Sequence, residues 1–321
     1  MNVSIKIAKY FYGEKDMNLS VKIGDLVLKN PVMVASGTFG YGEEYSSLID
    51  INMLGAIVTK GISLEPSPGN PPPRIVETPS GMLNAIGLQN IGYKSFVVDK
   101  MPFLRKYDTA VIVNFYGSKI EDYVELAEKL SNVEGVDALE ANISCPNIKE
   151  GGITFGTDPE MAYEVTEKVR AVTDKPLIVK LTPNVTDIST IAKRVEEAGA
   201  DAVSLTNTFT GMVIDIDECR PAIANITGGL SGPAIRPLSL RMVWETVKAV
   251  TIPVIGIGGI TVSSDALQFL ICGACAVQVG TGLFVDPKTP ISIIDGIKNY
   301  LTDKCLSDVN DVIGSLKTDS R

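Results

Sequence analysis

Short runs of apolar, largely β-branched residues recur along the chain, and amphipathic segments separate most of them. Runs that are apolar on both faces and alternate with helical patterns are typical of parallel strands buried on both sides. We predict strands at Val32–Ala35, Ala56–Thr59, Val111–Val113, Ala138–Ala141, Leu177–Val179, Val203–Thr206, Val254–Ile257 and Val277–Val279. The helices predicted between them are Glu121–Leu130, Glu160–Ala171, Ile188–Ala198, Leu238–Val250, Ser264–Ile271 and Ile291–Leu301. Thr186 or Asp187 is the candidate cap of the third helix, and Ser263 or Ser264 that of the fifth.

A weak internal repeat supports this alternation. Leu54-Gly55-Ala56, Ala198-Gly199-Ala200 and Cys272-Gly273-Ala274 each place glycine where a helix ends and a small residue where the next strand begins. Eight such strands over about 250 residues favour a closed (β/α)8 TIM barrel. The alternative is a doubly wound open sheet, but no Gly-x-Gly-x-x-Gly motif opens a helix after the first strand.

Three features lie outside the regular repeat. Leu19–Ile23 and Leu26–Leu28 flank Gly24-Asp25, which predicts an N-terminal β-hairpin at the bottom of the barrel. Two connections, 61–109 and 207–252, are too long for simple crossovers, and long βα-loops on one barrel face are usually functional. The expected organisation is an N-terminal extension 1–18, a single barrel domain 19–303 and a C-terminal tail 304–321.

The composition argues against nucleic-acid binding, a membrane span and secretion. The net charge of −9 argues against nucleic acid, because no basic stripe exists to neutralise phosphates. No apolar run of 18 or more residues predicts a membrane span, and residues 1–18 do not resemble a signal peptide. The odd count of five cysteines fits a reducing environment, so we expect a cytoplasmic protein.

The carboxyl ends of barrel strands normally carry the catalytic side chains. Here they offer lysines, amides, a thiol and glycine turns, without clustered carboxylates or histidine, so a metal site is not expected. The glycines after the seventh and eighth strands could cradle a phosphate, although such glycines also serve chain reversal. The residues at these ends are Ser36, Lys60, Asn114, Asn142, Cys145, Lys180, Asn207, Thr208, Gly258, Gly259, Gly280 and Thr281.

Cys145 is the candidate general base. The chain has no histidine, so a base acting near neutral pH must be a thiol, a lysine, a carboxylate, a tyrosine or the substrate. A thiol with a pKa of about 8.5 can be tuned to take a carbon-bound proton. A buried structural thiol is the ordinary alternative, and the flanking Asn142 and Asn147 favour a site. Cys272 and Cys275 align with small residues of the internal repeat and are interpreted as structural.

Several motifs together resemble one known family. They are Thr59-Lys60-Gly61, Asn84–Asn90, Asn142–Asn147, Val179-Lys180-Leu181, Thr206-Asn207-Thr208, 229–233 and Gly256–Ile260. In this order they resemble the catalytic subunit of class 1 dihydroorotate dehydrogenases, from Leu19 to Tyr300. The resemblance implies an FMN-binding barrel, with one FMN per chain, that oxidises dihydroorotate to orotate in pyrimidine biosynthesis.

The same resemblance implies roles for individual residues. Cys145 would remove the proton from C5 of the substrate while the hydride at C6 passes to flavin N5, and Lys60 would offset the substrate carboxylate. Lys180 would support the negative charge that builds near flavin N1 on reduction. Substrate contacts would come from Lys60, Asn84, Ile86, Gly87, Leu88, Asn142, Asn147, Asn207 and Thr208. FMN contacts would come from Ser36, Lys60, Gly61, Asn114, Asn142, Lys180, Thr206, Gly232, Gly258, Gly259, Gly280 and Thr281.

Within class 1, Asn84–Asn90 resembles the heteromeric type more than the fumarate-using homodimer. That type implies a homodimer of this chain with two partner subunits that carry FAD and [2Fe–2S] and reduce NAD. The alternatives are the fumarate-using enzyme, a dihydropyrimidine dehydrogenase-like flavoprotein, a lysine Schiff-base aldolase and a non-catalytic barrel scaffold. The Lys60 charge favours an anionic substrate, and the aldolase would not explain Cys145 with its asparagines.

Overall fold

The computed structural model describes residues 17–143 and 155–318. Its centre is a closed barrel in which eight parallel strands pair in sequence order, the last with the first. The predicted (β/α)8 fold is therefore confirmed. In chain order, the barrel strands are Val32–Val34, Ala56–Val58, Ala110–Phe115, Ala138–Asn142, Leu177–Lys180, Ala202–Leu205, Val254–Ile257 and Ala276–Val279.

Helices pack around the outside of the barrel. The helix Ile120–Ser131 buries the stripe of Tyr123, Leu126, Ala127 and Leu130, which follows the 3.6-residue period. The described outer helices are Ile120–Ser131, Pro159–Arg170, Ile188–Glu197, Arg236–Val247, Ser263–Cys272 and Thr289–Lys304, with a short helix Gly282–Val285 before the last. Each predicted helix is found, with ends displaced by up to three residues.

The helix Ser263–Cys272 begins in a way that the sequence did not indicate. Ser263 and Ser264 were candidate caps, but neither caps it, because Ser263 is already the first helical residue. The carboxylate of Asp265 instead accepts hydrogen bonds from the backbone N–H groups of Thr261 at 3.0 Å and Val262 at 3.2 Å. An acidic residue in the first turn can thus replace the hydroxyl cap. The Asp187 cap of Ile188–Glu197 is confirmed by its 3.0 Å bond from Ser189 N–H.

The predicted hairpin consists of Val21–Ile23 and Leu26–Leu28, with Ile23 opposite Leu26 across a two-residue turn. A Cβ at Gly24 would lie 3.2 Å from the side chain of Asp201, which precedes the sixth barrel strand. The hairpin therefore closes the amino-terminal end of the barrel. Val309 and Val312, beyond the last helix, are also buried in this core.

The two long connections pair with each other across the opposite end of the barrel. The first supplies Ile75–Thr78 and Gly81–Asn84, and the second supplies Phe209–Met212 and Thr227–Ser231. These four antiparallel strands, here called the insertion sheet, place Asn84 opposite Gly229. The sheet lies beside the carboxyl ends of the barrel strands and thereby encloses the space above them.

The connections contain further short elements. The first continues into helical turns Gly92–Ser95, Phe96–Lys100 and Met101–Leu104, and the second contains the small hairpin Ile214–Asp215 and Arg220–Pro221. Across the two described ranges, none of the helices combines the length and the apolar character needed to cross a lipid bilayer.

Candidate active site

A cavity of about 530 Å³ opens at the carboxyl end of the barrel, between the strand ends and the insertion sheet. All predicted site residues that fall in the described ranges line it. They are Ser36, Lys60, Gly61, Asn84, Ile86, Gly87, Leu88, Asn114, Asn142, Lys180, Thr206, Asn207, Thr208, Gly232, Gly258, Gly259, Gly280 and Thr281. Cys145 and Asn147 lie outside the described residues.

The floor of the cavity is a buried polar cluster in an otherwise apolar barrel. Asn114 donates from Nδ2 to Glu140 Oε1 at 2.7 Å, and Lys180 Nζ lies 3.8 Å from the same oxygen. Lys180 is only 6% exposed and Glu140 is fully buried. A buried lysine needs such an anionic partner, since desolvation alone would favour its neutral form.

Three buried oxygens in this part of the barrel have no hydrogen-bond partner among the described atoms. They are Asn114 Oδ1, Thr59 Oγ1 and Gln278 Oε1, and of these residues Asn114 lines the cavity. A Cβ added to Gly61 would lie 2.7 Å from Asn114 Oδ1, so only glycine leaves room beside that oxygen. Buried polar atoms are normally satisfied, which indicates that a ligand with hydrogen-bonding groups completes the site. The ring nitrogens and ribityl hydroxyls of FMN fit this requirement.

Lys60 presents a second cation to the cavity, at the end of the second barrel strand. Burial lowers the pKa of its ammonium group, and the nearby Arg74 guanidinium lowers that pKa further, while Glu44 partly offsets both effects. Two cations close together in a half-buried space disfavour each other. The arrangement therefore favours binding of an anion, which would relieve this repulsion.

The loop 86–88 is held rigidly at the cavity wall. Leu88 has a φ of 58°, which is uncommon for a residue other than glycine. Its carbonyl accepts hydrogen bonds from Tyr116 Oη at 2.9 Å and Asn90 Nδ2 at 3.0 Å. Gly87 is also left-handed, and a Cβ there would lie 2.5 Å from the backbone nitrogen of Asn70. These contacts preorganise the loop for a ligand.

Amide side chains form a further part of the cavity wall, here called the amide wall and made of Asn84, Asn142 and Asn207. Asn207 donates from Nδ2 to Asn142 Oδ1 at 3.3 Å and accepts a hydrogen bond from Thr208 N–H at 2.9 Å. Asn84 on the insertion sheet donates to the Gly229 carbonyl at 3.3 Å. Amides both donate and accept hydrogen bonds, so this wall suits a planar ligand with alternating N–H and C=O groups.

The glycine turns after the seventh and eighth barrel strands differ in whether they have room for a side chain. Gly258 and Gly259 have φ values of 133° and 69°, and a Cβ on Gly259 would lie 2.8 Å from the Gly232 carbonyl. A Cβ on Gly280 would meet nothing nearer than the Ala35 side chain at 3.6 Å. The first two glycines are required by the fold, whereas Gly280 leaves open space at the cavity.

Comparisons with known proteins agree with this geometry. Residues 18–301 match the family model described as dihydroorotate dehydrogenase. The chain belongs to the dihydroorotate dehydrogenase family. The family predicted from the sequence motifs is thereby confirmed.

Similar curated proteins carry the name "Dihydroorotate dehydrogenase B (NAD(+)), catalytic subunit". The protein from Geotalea daltonii is 59% identical over 300 residues, which cover 94% of this chain and 98% of the relative. The protein from Geotalea uraniireducens is 58% identical, with 94% of this chain and 99% of the relative covered. The protein from Thermoanaerobacter sp. is 56% identical, with 94% and 100% covered.

The structure adds cavity residues that the sequence analysis did not identify. Arg74 follows a proline-rich segment and reaches the cavity while it donates to the Asn70 carbonyl at 3.1 Å. Asn184 also lines the cavity and donates to the Thr208 carbonyl at 3.1 Å. Neither residue stands at the end of a predicted barrel strand, so no pattern in the sequence indicated that the folded loops place both at the cavity. Glu140 does not line the cavity but lies beneath it, and its place as a carboxylate inside an apolar run of the sequence could have drawn attention to it.

Proposed function

We propose that the cavity binds FMN and dihydroorotate together and that this chain oxidises dihydroorotate to orotate in pyrimidine biosynthesis. Family membership supports the reaction and places the chain among the oxidoreductases. The observation that carries the proposal is the convergence of a buried lysine, a second half-buried lysine and an amide wall on one cavity. These groups match a flavin, an anionic carboxylate and a pyrimidine ring.

FMN would occupy the side of the cavity nearest the barrel axis. Lys180 and Asn114 would contact its ring system, and the partnerless Asn114 Oδ1 would gain a donor there. Thr281, which donates to Ser231 Oγ at 2.7 Å, lies with Gly280 and Gly258–Gly259 on the turns that would enclose the phosphate. When bound, FMN would accept the hydride that leaves C6 of the substrate. Ser36, Gly61, Thr206 and Gly232 would complete the FMN contacts.

Dihydroorotate would lie between Lys60 and the amide wall. The Lys60 ammonium would balance the substrate carboxylate, because burial and the neighbouring Arg74 lower its pKa and Glu44 offsets these two effects only in part. Asn84, Asn142, Asn147, Asn207 and Thr208 would hydrogen-bond the ring, together with loop 86–88. Because this loop is held in place by Tyr116 and Asn90, the ring would be oriented at little entropic cost.

Cys145 would remove the proton from C5 of the substrate. The chain has no histidine, and the described lining of the cavity contains the cations Lys60, Arg74 and Lys180 but no carboxylate, thiol or phenol. The substrate carboxylate would keep Lys60 charged and Lys180 is paired with Glu140, so we assign the role of base to Cys145, which follows Asn142 in the chain. The C5 proton would pass to the thiolate as the C6 hydride passes to FMN, which leaves the C5=C6 double bond of orotate.

We further infer that the chain is the catalytic subunit of an NAD-dependent enzyme. The relatives are named as NAD(+) catalytic subunits, which implies a second subunit. We propose that this partner carries FAD and [2Fe–2S], and that two such subunits join a homodimer of this chain in the cytoplasm. Residues 19–303 would form the single FMN-binding domain.

The absorption spectrum of the purified chain tests the proposal. FMN at one per chain gives a yellow protein, and anaerobic dihydroorotate is expected to bleach the flavin band and yield orotate. Uracil and thymine, in their dihydro forms, serve as matched controls because they lack the carboxylate that Lys60 would bind. Bleaching by these neutral compounds at the same rate, or a colourless protein that binds no added FMN, would contradict the proposal.

A further inference from the structure

Glu140 is a charged side chain in the middle of the apolar barrel. It lies on the fourth barrel strand and does not line the cavity. The residue is completely buried, with 0% of its surface exposed. Transfer of a carboxylate from water to such an interior is costly unless it is paired and hydrogen-bonded. The proposed reaction assigns it no role, so its presence calls for a physical reason.

Four barrel strands direct donors to this one carboxylate. Asn114 donates to Oε1 at 2.7 Å, Ser204 donates to Oε2 at 2.9 Å, and Gln278 donates to Oε2 at 2.8 Å. Lys180 Nζ lies 3.8 Å from Oε1. An ionised carboxylate only accepts hydrogen bonds, and every polar neighbour here is oriented to donate or carries positive charge. The arrangement fits a Glu140 that is anionic.

Two of these four partners also line the cavity. Asn114 and Lys180 each have one side on Glu140 and the other on the proposed FMN site, whereas Ser204 and Gln278 face only the interior. Glu140 therefore lies directly beneath the residues that would contact the flavin. Its charge acts through a low-dielectric interior, where Coulomb interactions are much stronger than in water.

We propose that Glu140 is a positioning residue that orients Asn114 and Lys180 towards FMN and whose negative charge lowers the reduction potential of that FMN. The inference rests on the proposed FMN site. Lys180 favours the negative charge that FMN gains on reduction, and Glu140 opposes it while it holds Lys180 in place. The pair sets the driving force for hydride transfer from the substrate and for electron transfer onwards.

The midpoint potential of FMN in the holoenzyme tests this inference. Glu140→Gln keeps the size and one acceptor oxygen but removes the charge, so reduced FMN is expected to bind at least about tenfold more tightly relative to oxidised FMN. For a two-electron couple, tenfold corresponds to a rise of about 30 mV. Lys180→Met is expected to shift the potential in the opposite direction, and the double variant is expected to lie between the two single variants.

Ser204→Ala is the matched control. It removes one hydrogen bond from Glu140 at equal burial and leaves the charge, so its potential is not expected to rise. A wild-type potential in Glu140→Gln would overturn the inference, as would an equal rise in Ser204→Ala. If Glu140→Gln does not fold, the double variant Glu140→Gln with Lys180→Met is compared with Lys180→Met alone. The difference between their potentials measures the effect of the same charge, and equal potentials would overturn the inference. A wild-type chain that binds no FMN would instead refute the proposed function.

Discussion

At the scale of single residues, the proposed chemistry depends on one thiol, Cys145, and two lysines, Lys60 and Lys180. Lys60 and Lys180 both line the cavity but have different surroundings, because Glu140 lies 3.8 Å from the Lys180 ammonium group, whereas Lys60 has Arg74 near it and Glu44 offsets that repulsion only in part. We therefore expect Lys60, rather than Lys180, to respond to the binding of an anionic substrate.

Replacement of the proposed base should separate chemistry from binding. Cys145→Ala is expected to slow flavin reduction by about 10²–10⁴-fold, the usual contribution of a general base, while FMN and orotate still bind. Cys145→Ser should be slow at neutral pH and recover as the pH rises. Stopped-flow measurement of flavin bleaching checks this, and a near-normal rate in Cys145→Ala would contradict the assignment.

The lowered pKa of Lys60 predicts a pH dependence for orotate binding. An anion beside Lys60 stabilises its charged form and so raises its pKa in the complex. Affinity is therefore full below the free-protein pKa of Lys60, begins to fall as the pH rises through it, and levels off above the bound-state pKa. Titrations of orotate between pH 7 and pH 11, followed by calorimetry, measure this onset.

Two neighbours of Lys60 supply controls of opposite sign. Arg74 lowers the pKa of Lys60 and Glu44 raises it. The onset of affinity loss is therefore expected to move to higher pH in Arg74→Gln and to lower pH in Glu44→Gln. An onset that moves in the same direction in both variants would show that Lys60 is not the titrating group.

At the scale of elements, the turns after the last two barrel strands contain glycines of two kinds that look alike in the sequence. Some are required by the backbone conformation, and one leaves space for a ligand. Gly258 and Gly259 are needed because their backbone is left-handed or nearly so and their surroundings are filled. Gly280 has neither constraint within the protein. We infer that Gly280 is small because the cofactor, rather than the fold, occupies the adjacent space.

Substitution of these glycines should give distinguishable products. Gly280→Leu is expected to fold normally but to lose FMN, because its side chain projects into the cavity. Gly259→Val should instead destabilise the protein by about 2 kcal/mol or more, since a β-branched residue is strained at φ +69° and contacts the Gly232 carbonyl. Flavin absorbance and thermal melting separate the two results. Stoichiometric FMN in Gly280→Leu would contradict the proposed placement.

At the scale of the whole molecule, the chain can oxidise its substrate only if something reoxidises the flavin. The sequence shows no dinucleotide-binding fingerprint and no cysteine spacing for an iron–sulfur cluster. Burial raises the pKa of Cys272 to about 11 and that of Cys275 to about 12, so these thiols resist the deprotonation that ligation requires. We therefore propose that electrons reach NAD through a partner subunit.

This dependence predicts the behaviour of the isolated chain. With dihydroorotate it should reduce artificial acceptors but not NAD, and NAD reduction should appear when the FAD and [2Fe–2S] subunit is added. Spectrophotometric assays of the chain alone with NAD or fumarate provide the measurement. Rapid NAD reduction without a partner would refute the prediction, and rapid fumarate reduction would favour the homodimeric type.

The sequence predicted the barrel because its signals are local. The apolar runs, the helix stripe at Tyr123–Leu130 and the glycine of each helix-to-strand turn depend only on neighbouring residues, and the strands and helices appear where these signals stand. The strand ends also predicted which side chains would line the cavity. The cap of Ser263–Cys272 was predicted wrongly, because the helix already begins at Ser263 and the carboxylate of Asp265 accepts from the backbone N–H groups of Thr261 and Val262.

The sequence by itself determined the fold class, the family and the candidate residues at the strand ends. Tertiary structure alone decided how the two long connections pair into the insertion sheet, and it brought Arg74 and Asn184 to the cavity. It also decided that four strands direct donors to Glu140. Contacts such as Asn84–Gly229, 145 positions apart, and Glu140–Gln278, 138 positions apart, leave no local pattern, because barrel closure and loop pairing arise only when distant strands meet.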